Sequence, residues 1–160
     1  MNAEPGDSST DHPNVTIHPP VFYLAALLVA YGLSWVYPLP IFQSMIPRLS
    51  GLVLTIAGLS VIAHGRRLMK AHGTNIRPTR PTMVIIESGL YRYSRNPLYL
   101  SLTLAYCGLT LLINTWWGFV VLPAVLLSMH FLVVLREERY LENKFGDVYR
   151  AYRARVRRYL

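Results

Sequence analysis

No Asp, Glu, Lys or Arg occurs between Asn96 and Leu135, a run of forty residues. A second run, from Val21 to Ala63, contains Arg48 as its single charge. A charge at the centre of a membrane helix costs roughly 2.5–3.5 kcal/mol, so a bilayer excludes charges from such runs, whereas a soluble fold has little reason to do so. The two runs therefore predict a membrane-embedded protein.

Prolines and polar residues divide these runs into four apolar segments, which are Val21–Tyr37, Leu49–His64, Leu98–Ile113 and Trp116–Leu135. At ~1.5 Å per residue, segments of this length are close to the ~30 Å needed to cross hydrocarbon. We therefore predict an all-α fold, a polytopic transmembrane helical bundle of about four spans. Because only Asn114 and Thr115 separate the last two segments, residues 97–135 are predicted to form a tight helical hairpin.

The remaining residues divide the chain into three parts. Residues 1–18 are polar and contain two prolines, which is typical of a disordered tail. Residues 19–70 hold two N-terminal transmembrane helices, and residues 71–160 hold the core that carries the chemistry. Within this core, Leu141–Tyr159 alternates apolar and basic residues at helical spacing, which predicts a cytosolic amphipathic helix on the anionic inner surface of the membrane.

The net charge of +8 is concentrated beside the apolar segments. Residues 64–95 hold seven basic residues against one acid, and residues 136–160 hold eight against four. Basic segments that flank apolar spans follow the positive-inside rule, and this explanation is preferred to nucleic-acid binding. Two crossings separate the basic segments, so both are expected on the cytoplasmic face of a prokaryotic inner membrane or the endoplasmic reticulum, with Arg48 and Asn114 facing outward.

The hairpin brings two polar clusters to the same interface, because the chain crosses through the third segment and returns through the fourth. The first cluster is Arg95-Asn96-Pro97, in which Asn96 suits an N-cap and Pro97 suits the first helical position. The free amides of the helix start, with Arg95 beside them, predict a site for a carboxylate or phosphate. The alternative is a capped helix whose Arg95 and nearby tyrosines only meet lipid headgroups.

The second cluster is Glu137-Glu138 at the end of the uncharged run. Acids at the C-terminus of a helix oppose its dipole, so a cationic ligand would explain them, and pairing with neighbouring arginines is the alternative. His130 lies seven residues earlier, on about the same face of the helix. An ionisable group within a span is a functional candidate, although a hydrogen bond across the bundle would also explain it. No metal site is predicted.

Three sequence elements resemble the isoprenylcysteine carboxyl methyltransferase and phospholipid methyltransferase superfamily. They are Gly89-Leu90-Tyr91-Arg92-Tyr93-Ser94-Arg95-Asn96-Pro97-Leu98-Tyr99, then Glu137-Glu138, then Phe145-Gly146-Asp147-Val148-Tyr149-Arg150-Ala151-Tyr152. The resemblance covers about the last 80 residues. Asn96 stands where members often have His, although phospholipid methyltransferases also have Asn-Pro here.

The resemblance implies an integral membrane methyltransferase that uses S-adenosyl-L-methionine and acts on a lipid-like or amphipathic acceptor. It implies that the cofactor pocket includes Gly89, Tyr91, Asn96, Pro97, Tyr99 and Glu137, to which we add His130 as a candidate. It places Arg95 and Glu138 near the acceptor as candidate catalytic residues, with Glu138 as the base if the acceptor is an amine or thiol. A non-catalytic membrane scaffold or lipid-binding subunit and a nicotinamide-dependent membrane reductase are the alternatives.

Overall fold

The computed structural model describes residues 18–73 and 82–160, and in these ranges the regular secondary structure is helical. Helices α1 and α2 span Pro19–Val36 and Met45–Ala71. Helix α3 spans Pro97–Ile113, and α4 (Trp117–Met129) runs through a π-helical segment (His130–Val134) into α5 (Leu135–Phe145). Helix α6 spans Asp147–Arg155. The tail predicted to be disordered lies outside the described residues apart from His18.

Three of these helices are long and apolar enough to cross a membrane: Pro19–Val36, Met45–Ala71 and the continuous Trp117–Phe145. Helix α3 is also apolar but has only 17 residues. It begins at Pro97 because the preceding residues are polar. It ends at Asn114, whose left-handed backbone (φ 61°) stops the helix. The predicted all-α fold is therefore confirmed, and in place of about four spans the described residues contain three long apolar helices and one shorter one.

The side chain of Asn114, in the α3–α4 turn, also binds the α1–α2 loop at one end of the bundle. Its side-chain Oδ1 accepts hydrogen bonds from the amides of Ile41 (3.1 Å) and Phe42 (2.8 Å), and its Nδ2 donates to the Phe42 carbonyl (3.0 Å). These bonds show that the α1–α2 loop lies at the same end as the α3–α4 turn, and Arg48, in the first turn of α2, follows this loop.

Helix α2 packs along α3 through small residues on both helices. Gly51 and Gly58 of α2 are buried, and α3 presents Ala105 and Gly108 to them. A Cβ atom built on Gly58 would lie 2.7 Å from the Ala105 amide nitrogen and from the Ser101 carbonyl oxygen. Small residues at the contact of two membrane helices allow such close backbone approach. Gly51 and Gly58 thus permit the close contact between α2 and α3.

Helix α1 packs against α4 and, to a smaller extent, against α3. The buried core on this side contains Tyr23, Tyr106, Val125 and Met129. Close contact between α3 and α4 occurs near their turn, where the Tyr106 hydroxyl donates to the Gly118 carbonyl at 2.8 Å. Further from the turn, a cavity lies between the two helices, so the predicted hairpin is not tightly packed along its whole length.

The C-terminal segment differs from the single interfacial helix predicted for Leu141–Tyr159. Gly146, with φ 51°, separates α5 from α6, because a left-handed backbone ends a helix and favours glycine. The apolar face of α6 is buried inside the protein, with Tyr149 and Tyr152 only 1% and 4% exposed. Residues 156–160, here called the C-terminal strap, then return to the start of α3.

Candidate active site

The two polar clusters predicted to meet do so at the start of α3. The Tyr99 hydroxyl donates a hydrogen bond to Glu137 Oε1 at 2.5 Å, and Arg95 Nη1 lies 3.0 Å from Glu138 Oε1. Pro97 occupies the first turn of α3, as predicted. The folded chain thus joins an acidic pair at the start of α5 to Arg95, which precedes Glu138 by 43 residues.

Glu138 is buried between two arginines. Besides the contact with Arg95, it accepts a bidentate pair from Arg158, with Nε–Oε1 and Nη2–Oε2 both at 2.9 Å. The side chains of Glu138 and Arg95 are 9% and 7% exposed. A buried carboxylate requires such compensation, because desolvation of an unpaired charge costs several kcal/mol. The hydrogen bond to Glu138 raises the pKa of the Arg158 guanidinium, and partial burial opposes this effect.

Glu137 differs from its neighbour in its partners. Its carboxylate is half-buried and accepts the Tyr99 hydrogen bond, and within residues 18–73 and 82–160 no arginine, lysine or histidine pairs with it. The negative charge of Glu137 also acts on Tyr91: burial raises the pKa of the Tyr91 hydroxyl and this charge raises it further. Tyr91 and Tyr99 therefore both lie close to Glu137, as expected for residues of one pocket.

The C-terminal strap covers the start of α3. The Arg157 carbonyl accepts from the Arg95 amide at 3.0 Å, and the Arg158 carbonyl accepts from Asn96 Nδ2 at 3.0 Å and from Ser94 Oγ at 3.3 Å. Asn96 occupies the N-cap position, but its side chain binds the strap instead of capping the helix. The strap carbonyls therefore lie at the Arg95 amide and at the side chains of Ser94 and Asn96, beside the predicted anion site.

Helix α6 supports the same cluster from the side. The Tyr149 hydroxyl accepts from Arg95 Nη1 at 3.2 Å, and the Tyr152 hydroxyl donates to the Tyr91 carbonyl at 2.8 Å. Burial raises the pKa of both tyrosines. Tyr91 belongs to a 3₁₀ turn, Gly89–Arg92, which begins with Gly89 at φ 58°. Gly89 is exposed and packs near Leu68 of α2, so it shapes the loop beside the site.

His130 lies at a cavity of about 320 Å³. Its Nδ1 is 2.8 Å from the hydroxyl of Tyr159 in the strap. The cavity is lined by residues of α1, α3, α4, the π-helical segment and the strap: Tyr23, Tyr99, Leu100, Thr103, Leu126, Leu127, Met129, His130, Val134 and Tyr159. The π-helical segment changes the helical register after His130, so the seven-residue spacing to Glu137 is not that of an α-helix. Tyr99 nevertheless connects the two places, because it lines the same cavity as His130 and binds Glu137.

A metal-binding cluster is absent from the described ranges, since no group of three or more His, Cys, Asp or Glu side chains comes together there. Several residues of the site were missed by the sequence reasoning, namely Ser94, Tyr149, Arg158 and Tyr159. The i, i+3 spacing of Tyr149 and Tyr152 was a signal for a buried helical face, but it was interpreted as contact with lipid.

Comparison with known proteins decides the family. The model of the phospholipid methyltransferase family matches residues 46–148, which is more than half of the chain. This chain belongs to the phospholipid methyltransferase family. An uncharacterised protein of Haemophilus influenzae is 41% identical over 66 residues, which cover 39% of this chain and the whole of that protein. No solved structure matches the chain.

The family match covers part of the site only. It begins in α2 and includes α3, α4 and Glu137-Glu138, and it ends at Val148. The strap and its Arg158 lie beyond this end, as does Tyr149. The matched range thus includes α3 and the acidic pair of α5, whereas Tyr149 and Arg158, which complete the buried cluster, lie outside it.

Proposed function

We propose that this protein is an integral membrane methyltransferase that uses S-adenosyl-L-methionine and acts on a lipid-like acceptor. The proposal rests on family membership and on one observation in particular. Glu137, half-buried beside the cavity, is held by the Tyr99 hydroxyl and has no cationic partner in the described part of the chain. An acid in this position can bind a cation, which a scaffold protein would not need.

The residues present fit the cofactor implied by the family. S-adenosyl-L-methionine carries a sulfonium, an ammonium, a carboxylate and an adenine, and it supplies the methyl group as an electrophile. Glu137 can pair with one of the cationic groups. Arg95 Nε is buried and has no hydrogen-bond partner, so it is a donor available to an anionic group of the acceptor beside the cofactor. The faces of Tyr91 and Tyr99 suit contact with the adenine or the cation.

The acceptor is proposed to enter from the bilayer. The cavity is lined largely by apolar side chains and lies between helices that are apolar enough to be embedded in a membrane. Leu126 and Leu127 at its rim are 42% and 59% exposed, so the cavity wall adjoins the lipid-facing surface. Its volume is at the lower end of small-molecule pockets, which suits one hydrocarbon tail better than a folded peptide. Its polar groups are the imidazole of His130 and the hydroxyls of four residues, Tyr23, Tyr99, Thr103 and Tyr159.

The residues would promote transfer by alignment. Arg95, fixed by Glu138, would meet the acceptor that the family resemblance implies for it, and the strap and α6 shield the buried cluster from water. Fixing two reactants in one orientation is the largest contribution available to a displacement of this kind. The excess of basic residues flanking the spans favours a cytoplasmic position for the site.

The proposal is tested by isothermal titration calorimetry of the detergent-purified protein with S-adenosylhomocysteine. Glu137→Gln should weaken binding by about tenfold or more, because it removes one partner of a charge pair. Glu142 lies on the same helix as Glu137 and pairs with Arg153 at the surface, so Glu142→Gln is the matched control and should leave binding unchanged. Absence of heat in protein shown to be folded would overturn the proposal.

Two further measurements distinguish the alternatives and identify the acceptor. Binding of NADPH in place of S-adenosylhomocysteine would support a reductase, and binding of neither would support a scaffold or lipid-binding subunit. Transfer of tritium from methyl-labelled S-adenosyl-L-methionine to extracts of total membrane lipid would identify the acceptor class directly.

A further inference from the structure

Arg158 of the strap binds Glu138 in an arrangement that fixes the orientation of both side chains. Its guanidinium binds both oxygens of Glu138 in the bidentate arrangement that planar arginine and carboxylate groups favour. Arg95 Nη1 binds the same carboxylate and also the Tyr149 hydroxyl. Glu138 therefore connects the strap, α5 and the start of α3 through a single side chain.

Both oxygens of Glu138 are occupied by guanidinium groups. Protonation of the carboxylate would leave two guanidinium groups of the buried cluster without a negative partner, which is costly. Such a carboxylate is suited to hold a cation in place. This geometry argues against the role of base that the sequence suggested for Glu138.

We propose that Arg158 is a positioning residue of the active site, which holds Glu138 and, through it, orients the guanidinium of Arg95. This inference rests on the proposed methyltransferase function. Glu138 is then an anchor between two arginines, and Arg95 is the group of the cluster that meets the reactants. The C-terminal strap is part of the catalytic machinery, although the family match ends ten residues before Arg158.

Two observations favour positioning over simple stabilisation. First, a buried ion pair is weak support for stability, because desolvation offsets most of its attraction. Second, the strap carbonyls bind Ser94, Arg95 and Asn96 at the start of α3, and the Tyr159 hydroxyl binds His130 at the cavity. The strap thus ties the charged cluster to the cavity rim.

The test compares methyl transfer and cofactor binding in full-length variants. Arg158→Ala should lower kcat about 100-fold, the cost of a small misplacement of reacting groups. It should leave the Kd of S-adenosylhomocysteine within about threefold of wild type, because Glu137 and Tyr99 are untouched. Arg158→Lys keeps the charge without the bidentate geometry and should restore only part of kcat. Arg155→Ala, which removes an exposed arginine paired with Glu87, is the matched control and should leave kcat unchanged.

A double-mutant cycle with Glu138→Gln tests the route of the effect. If Arg158 acts through Glu138, Arg158→Ala should lower kcat by no more than roughly threefold in the Glu138→Gln background. Independent, multiplicative losses would overturn the inference, and so would an Arg158→Ala protein as active as Arg155→Ala. Equal loss of kcat and cofactor affinity, accompanied by a lower melting temperature, would also overturn it by showing a structural role. Wild-type protein that neither binds S-adenosylhomocysteine nor transfers a methyl group would instead overturn the proposed function, and this inference with it.

Discussion

Gly58→Ala tests whether close contact between α2 and α3 is required for stability. In the structure, the added Cβ would lie 2.7 Å from two backbone atoms of α3 and 2.9 Å from the Ala105 Cβ. Backbone atoms cannot rotate away as the end of a side chain can. The helices would have to separate locally by about 0.8 Å to reach a normal separation of ~3.5 Å.

The expected cost follows from two opposing effects. Overpacking a well-packed contact costs about 1–3 kcal/mol, and replacing a helical glycine with alanine returns about 0.8–1.0 kcal/mol. We therefore expect a net loss of up to about 2 kcal/mol, with about 1 kcal/mol at the middle of the range. Gly32→Ala is the matched control, because Gly32 lies in α1 with no atom within 4 Å of the added Cβ. It should be neutral or stabilising.

The assay is thermal unfolding of both variants in the same detergent, followed by intrinsic fluorescence. At roughly 2–4 °C per kcal/mol for a chain of this size, Gly58→Ala should lower Tm by several degrees relative to wild type. Gly32→Ala should melt at or above the wild-type temperature. Equal melting temperatures of Gly58→Ala and Gly32→Ala would show that the stability of the protein does not depend on this contact between α2 and α3.

Two further predictions concern the site and the opposite end of the bundle. Tyr99→Phe removes from Glu137 a charge-assisted hydrogen bond worth roughly 1.5–3 kcal/mol, so the Kd of S-adenosylhomocysteine measured by calorimetry should rise about tenfold or more. Tyr93→Phe changes an exposed tyrosine and should bind as wild type does. Equal affinities of the two variants would contradict the role of Tyr99. Asn114→Ala loses three hydrogen bonds and places an alanine at φ 61°. It should therefore lower Tm more than Asn114→Gly, which loses the same bonds without the backbone strain. The reverse order of the two Tm values would contradict this account of the turn.

The sequence contained enough information to predict the helices and their order. Absence of charge over Asn96–Leu135 is a property of consecutive residues, and the cost of a charge in a bilayer applies to each residue separately. The turn at Asn114 and the start of α3 at Pro97 are likewise set by local backbone preferences. From these alone it followed that Arg95 and Glu138 would meet, and the structure confirms that they do.

The completion of the site depended on tertiary structure. Arg158 reaches Glu138 only because the chain reverses at Gly146, α6 buries Tyr149 and Tyr152, and the strap returns to Asn96, 62 residues earlier in the chain. A basic amphipathic pattern is the same whether its apolar face meets lipid or protein, so the sequence could not distinguish the predicted surface helix from the observed buried one. The cavity depended on packing in the same way, since it exists where α3 and α4 move apart beyond their turn. Local patterns determined which segments are helices, and long-range contacts decided which side chains share the pocket.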